Sequence, residues 1–292
     1  MDKAIKSSFS IKKDVKVVFS DLDGTLLQSD KSISPNSIQT IIKLKNNNKL
    51  FGVATGRPYY FVKKEITLLK PDFPIISCNG ALIFDYKLNK VIFYNSFTKD
   101  QVSLIWNILT KNNITFLVYQ VDKMQGYHPE AKVSKWFKWV EDTIKSRDNE
   151  HKPEFVILNK EQQKNFLNQE NKIVKFLMIK TDSNELDLEK ALKELNEIPG
   201  IYAVQSHPEV VDIMRNESTK GTGIEMLAKK YNFDLNKTLV FGDESNDISM
   251  FEKAKYSVAM EQAPVNVKKV STFITKSNDE DGIFHFVEKH FE

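Results

Sequence analysis

Cysteine is nearly missing from this chain: Cys78 is the only one. An internal disulfide framework is therefore excluded, and a reducing, cytoplasmic setting is the expectation. Long hydrophobic runs are also lacking, since no window approaches the roughly 18 consecutive apolar residues of a membrane span. Residues 1–14 mix Lys3, Lys6, Lys12 and Lys13 with serines and hold no apolar stretch of the kind a secretory signal carries. They are expected to form a disordered arm. Neither sign of charge dominates: Lys and Arg total 42 against 39 Asp and Glu, interspersed, for a net charge of +3. No face suited to nucleic acid or a membrane surface is expected, whereas a small anionic molecule remains an admissible partner. His128, His151, His207, His285 and His290 fall at no metal-ligand spacing, which argues against a zinc site.

What the chain does contain is alternation of short β-rich runs with helical periodicity, the pattern of a parallel sheet covered by helices. Its 292 residues are long for one domain, so two domains, or one carrying a large insertion, are expected. Val15–Phe19 and Leu50–Ala54 read as strands. Between them Ser34 is a good N-cap, Pro35 suits the first helical position, and Ile38, Ile41 and Ile42 recur at three-to-four spacing until Asn46. Pro74–Ser77 is a third strand, and Leu82–Asp85 with Val91–Tyr94 reads as a hairpin. Thr98–Gln101 then fits a capping box ahead of the helical face Val102, Ile105, Trp106 and Leu109. Strand and helix candidates of an α+β layer follow, with Met124–Pro129 read as a loop. Trp136, Phe137 and Trp139 cannot all share one helical face, so core packing is expected of most but not all of them. After Val210 the βα alternation resumes. The expected architecture is a doubly wound parallel-sheet core, residues 15–85 and 212–292, with an α+β insertion over 86–211.

Asp21-Leu22-Asp23-Gly24-Thr25 follows the first strand directly. In an open α/β sheet that is where ligands bind, and Gly24 lets the chain turn out of the sheet. Two carboxylates there suit a nucleophile with a neighbouring acid/base, or a hard cation held by oxygen ligands. For an isolated D-x-D-G a solvated Asx turn is the commoner explanation, so the rest of the chain decides. The remaining strand ends add Thr55-Gly56-Arg57, Cys78-Asn79-Gly80-Ala81, Ser218-Thr219-Lys220-Gly221 and Gly242-Asp243-Glu244-Ser245-Asn246-Asp247.

Taken in order, Asp21–Thr25, Thr55–Arg57, Lys220-Gly221 and Gly242–Asp247 resemble the four motifs of the haloacid dehalogenase-like phosphatases, and the Asn79-Gly80-Ala81 turn with the large insertion is similar to the Cof-type subfamily. The resemblance spans nearly the whole chain after Asp14. It implies that Asp21 attacks phosphorus to form an aspartyl-phosphate and that Asp23 protonates the leaving oxygen and then activates water. It implies Mg²⁺ held by Asp21, the Asp23 backbone carbonyl and Asp243, with Asn246 and Asp247 supporting that shell or orienting Lys220. Thr55, Gly56 and Lys220 would bind the phosphoryl group, Arg57 and Asn79 are weaker substrate-binding candidates, and the insertion would act as a cap that selects the leaving group. Small phosphorylated metabolites, sugar phosphates first, are the implied substrates. A phosphomutase of the same superfamily and a non-catalytic phosphometabolite sensor are the alternatives. Cys78 reads as a small buried hydrophobe rather than a catalytic thiol.

Overall fold

The computed structural model describes residues 11–147, 152–169 and 171–291. In chain order its strands are β1 (Val17–Ser20), β2 (Leu50–Val53), β3 (Ile75–Ser77), β4 (Leu82–Asp85), β5 (Lys90–Tyr94), β6 (Phe116–Gln120) and β7 (Met124–Tyr127). They continue as β8 (Phe155–Ile157), β9 (Ile173–Ile179), β10 (Ile201–His207), β11 (Val210–Arg215), β12 (Thr238–Gly242), β13 (Tyr256–Ala259) and β14 (Phe273–Ile274). Two compact units result, one holding the chain up to Gly56, Glu65–Ile92 and everything from Thr219, the other holding Arg57–Lys64 and Phe93–Ser218. Sequence periodicity alone places the junctions near residues 85 and 212. The chain instead leaves the first unit within β5 and returns only after β11, because β11 pairs with both β10 and β9 along its length.

The first unit is built on the sheet β14-β13-β12-β1-β2, parallel throughout, which is the doubly wound α/β core expected. Every residue of β1 is buried, as strands covered on both faces must be. The helix Pro35–Asn46 starts as its sequence requires, with the Ser34 hydroxyl accepting the Ser37 N–H and proline in its first turn. Its buried face differs from the expected one. Ser37, Thr40, Ile41 and Leu44 face inward, while Ile42 is 45% exposed, because the buried stripe is completed by small polar residues rather than by Ile38 and Ile42. β3 joins a separate sheet with β4 and β5 but reaches β2 through an isolated parallel bridge, Ala54 to Ile76. Ile11–Asp14, part of the expected arm, form a helical turn with Ile11 fully buried; the rest of that arm lies outside the described residues.

The second unit carries the sheet β10-β11-β9-β6-β7-β8. Met124–Tyr127, read as a loop from sequence, is the strand β7: its glycine lacks a side chain, and a Cβ there would lie 2.9 Å from the Phe137 ring. The helix Lys99–Lys111 begins with the expected capping box and buries Val102, Ile105, Trp106 and Leu109. Trp106 stacks on Phe166 at 3.9 Å and meets Phe116 edge-on at 5.4 Å, forming an aromatic centre. Of the three aromatics flagged in the helix Lys135–Lys145, Phe137 is fully buried and Trp139 is 38% exposed.

Within this unit Lys175 of β9 and Asp212 of β11 form an ion pair of 2.8 Å that is buried on both sides, with the Lys175 ammonium 4.8 Å from the centre of the Tyr119 ring. Removing one member of such a pair leaves a charge without its counter-ion in a dry site. Asp212→Ala is expected to cost ~3–5 kcal/mol of stability. Lys175→Met with Asp212→Leu should recover most of that loss. Denaturant midpoints of the two variants check this, and a double variant no more stable than Asp212→Ala would refute it.

Candidate active site

Parallel pairing of β1 with β12 sets Ser20 beside Phe241, so Asp21 and the Gly242-Asp243 turn leave the sheet side by side. The Asp21 N–H continues the ladder to the Phe241 carbonyl at 3.0 Å. Gly24 makes the next turn with φ +71°, and a Cβ at this position would fall 2.1 Å from Asp243 Oδ2. Only glycine admits so close an approach of backbone to carboxylate. Thr25 then donates its hydroxyl to Asp243 Oδ1 at 2.8 Å. The pentapeptide thus positions two carboxylates of its own and orients a third from a remote strand.

Lys220 is the first residue of the helix Lys220–Tyr231, which Thr219 caps by accepting the Thr222 N–H. Its side chain is fully buried, and Nζ donates to Asp21 Oδ1 at 2.7 Å and Asp247 Oδ1 at 2.6 Å. The second Asp247 oxygen accepts the backbone N–H groups of Asp243 and Glu244 at 2.9 and 3.0 Å. Both Asp247 oxygens are therefore engaged by protein donors. Asp21 Oδ2 accepts no hydrogen bond among the described residues.

Burial is the largest influence on the Asp21 carboxyl and raises its pKa to about 7, with Lys220 opposing and the Asp247 charge assisting. Asp243 is likewise pushed well above the ordinary range, first by burial and then by the charges of Asp21 and Asp247. For Lys220 burial alone would lower the pKa, but the charges and hydrogen bonds of the two aspartates together outweigh it and hold the ammonium above its ordinary value. Asp21, Asp243 and Asp247 each offer an oxygen within 4.8 Å of the others. Three buried carboxylates around one ammonium leave excess negative charge, and an oxygen-ligated cation suits such a place.

Thr55 follows β2, is buried, and ties β2 to β3 by donating its N–H to Ile76 and accepting the Asn79 N–H, at 2.8 and 3.0 Å. Gly56 ends that stretch of the first unit. Cys78 and Asn79 both hold positive φ, 47° and 52°, ahead of Gly80 at 90°, where a Cβ would strike the Thr219 carbonyl at 2.1 Å. Sustained left-handed backbone in side-chain-bearing residues is strain of the kind that gathers at functional sites. It aims Asn79 Oδ1 at the Asn246 amide, 3.0 Å away, while Asn246 Oδ1 is buried with no hydrogen-bond partner among the described residues. Asp23 pairs with Lys31 at 3.1 Å. Arg57 is grouped with the second unit, its guanidinium 5.6 Å from the centre of the Phe61 ring. Two site neighbours have no assigned role in the sequence reading: Thr25, which stands inside the first motif, and Lys31, which no periodicity distinguishes.

A chain whose parallel sheet ends in this cluster, with an α+β unit inserted, has the architecture of a haloacid dehalogenase-like hydrolase. The sequence profile of that family matches residues 18–287, and the chain belongs to it. It is 31% identical over 290 residues to a 5-amino-6-(5-phospho-D-ribitylamino)uracil phosphatase of Bacillus subtilis, covering 94% of this chain and 98% of that one. It is 27% identical to a pyridoxal phosphate phosphatase of Escherichia coli, with the same coverage of each chain. Among solved structures, a haloacid dehalogenase-like hydrolase from B. subtilis superposes with a TM-score of 0.79 at 22% identity, over 94% of this chain and 99% of its own. The chain is accordingly an enzyme of the phosphatase class. No helix among the described residues is long and apolar enough to cross a membrane.

The raised Asp21 pKa carries a stability consequence. In the folded, metal-free protein Asp21 binds a proton more tightly than in the unfolded chain, so stability falls as pH rises from about 4 to about 7. Asp21→Asn removes this burden while Asp247 still pairs Lys220. In chelator-treated protein the variant should therefore melt above the parent at pH 8, with the gap narrowing towards pH 5. A variant that melts lower at pH 8 would contradict this assignment.

Proposed function

We propose that the protein hydrolyses small phosphorylated metabolites, with sugar phosphates the leading class, through an aspartyl-phosphate on Asp21 with Mg²⁺ as cofactor. The observation that carries the reading is the divided state of the Asp21 carboxylate. One oxygen is fixed by the fully buried Lys220, and the other accepts no hydrogen bond among the described residues. A nucleophile needs that arrangement, anchored at one atom and free at the other.

The residues suit a divalent cation. Burial and mutual repulsion press Asp21 and Asp243 towards protonation when no cation is present, and Gly24 keeps Asp243 Oδ2 clear of any Cβ. Asp21, Asp243 and the Asp23 carbonyl are the ligands proposed, and Asp247 is assigned to orienting Lys220 because its oxygens are already used. Mg²⁺ bound there supplies positive charge that neutralises the phosphoryl group.

In the first displacement the free Asp21 oxygen forms a bond to phosphorus as the ester P–O bond breaks, and Asp23 passes its proton to the departing alkoxide. In the second, Asp23 takes a proton from water as that water attacks phosphorus, releasing inorganic phosphate and restoring Asp21. Thr55 and Gly56 would donate to phosphoryl oxygens, and Lys220 offsets the charge of Asp21 against the incoming anion. The second unit is assigned the selection of the leaving group. The ribitylamino-uracil and pyridoxal phosphates named for two relatives support a small phosphorylated organic substrate.

Chelation or Asp21→Asn should abolish phosphate release from a panel of phosphate esters. Asp23→Ala should lower kcat by ~10²–10⁴ on alkyl esters. Free phosphate from a hexose monophosphate marks a hydrolase, whereas a positional isomer marks a mutase. A folded Asp21→Asn protein with undiminished turnover would overturn the mechanism, and a parent that hydrolyses no ester with Mg²⁺ present would favour the sensor.

A further inference from the structure

The strands of the first unit have a second end. β1 and β2 run parallel with Val17 beside Leu50, so residues just before them lie at the edge of the sheet opposite Asp21 and Thr55. There a cavity of about 420 Å³ is lined by Lys12, Lys13, Lys43, Lys49, Lys289 and His290. Its volume lies within the range of small-molecule sites, roughly 300–1,000 Å³, and exceeds what a single phosphate fills.

Part of this positive charge has an ordinary cause. The helices Pro35–Asn46 and Gly282–Phe291 both end here, and Lys43, Lys289 and His290 in their last turns complement the helix dipoles. Glu288 also pairs with Lys43 at 2.6 Å. Lys49 is not so explained, since it stands in the turn before β2. It is 7% exposed, and its ammonium is held by the carbonyls of Lys12 and Val15 at 2.7 and 2.5 Å rather than by a carboxylate. Burial, then the charges of Lys16 and Lys12, push its pKa below the ordinary lysine value. His290 lines the same cavity. Its ring packs against Phe286 at 4.4 Å, and its buried Nδ1 has no hydrogen-bond partner among the described residues. Several ammonium groups lining one cavity suit a ligand that brings several anionic oxygens.

We propose that this cavity binds a small molecule carrying an oligophosphate chain, at a site distinct from the candidate catalytic centre and at the other end of the same sheet. The phosphate oxygens would span Lys13, Lys43 and Lys289, a reach of several charges that one phosphate lacks. Leu44 and Phe291 supply an apolar wall against which a nucleoside could rest. The recognised chemistry is the oligophosphate, whether free or esterified to a nucleoside.

Calorimetric titration of the metal-free full chain with inorganic tripolyphosphate, and separately with ATP, tests this at about 150 mM salt, where exposed charges are screened beyond roughly 8 Å. One saturable site is expected for at least one probe. Tripolyphosphate binding as tightly as ATP identifies the bare chain as sufficient, and binding of ATP alone identifies a nucleotide. Lys13→Glu with Lys289→Glu, both lining the cavity at the strand ends opposite the catalytic candidates, should weaken that binding at least tenfold while ester hydrolysis stays within twofold of the parent. No saturable binding of either probe, or an affinity within twofold of the parent in the double variant, overturns the proposal.

Discussion

One buried ammonium governs the carboxyl end of the first unit's sheet. Without Lys220 the buried carboxylates of Asp21, Asp243 and Asp247 would lie close together without the ammonium that pairs two of them. With it, Asp247 has a fixed partner at 2.6 Å and Asp21 is anchored by one oxygen only. The balance is incomplete by design of the charges. Burial first, and then mutual repulsion that one ammonium does not offset, keeps Asp21 and Asp243 shifted upward, and such a cluster suits a further cation.

The backbone makes this cluster possible by removing side chains at the points of closest approach. Gly24 clears Asp243, Gly80 clears the Thr219 carbonyl, and Gly221 clears the Ser249 carbonyl, where a Cβ would lie 2.2 Å away. The last two contacts seat the start of the Lys220 helix against its neighbours, so the position of Nζ follows from main-chain packing and not only from its own ion pairs. Thr219 contributes as a cap, and Asp247 links Lys220 to the backbone of Asp243 and Glu244. A single carboxylate thereby joins two motifs that are distant in sequence.

The two ends of the sheet differ in sign. At the carboxyl end the strands deliver acids to a point where a cation is needed. At the amino end the preceding turns and the last turns of two helices gather lysines around a cavity. Parallel topology produces this contrast, because every strand enters at one edge and leaves at the other. The second unit's sheet is mixed, its core is aromatic, and a deeply buried ion pair, Lys175 with Asp212, lies across adjacent strands.

Much of this was legible in the residues themselves. Ser34-Pro35 and Thr98–Gln101 announce helix starts through local hydrogen bonding, and both caps form as their residues require. Apolar runs bounded by Asp, Gly and Thr mark strand ends, so the α/β class and the family followed from pattern alone. Met124–Tyr127 escaped because a strand with glycine and glutamine acquires its identity from partners, here β6 and β8. Ile42 misled because periodicity defines a face only to within a residue or two, and packing chose Ser37 and Thr40 instead. By itself the sequence determined which chemical groups are available and at which strand ends they emerge, since those depend on neighbours along the chain. Only the tertiary structure decided that Asp247 holds Lys220, that Thr25 holds Asp243, that Arg57 falls in the other unit and that five lysines share one cavity. These are contacts between residues brought together by folding, and no local rule carries their distances.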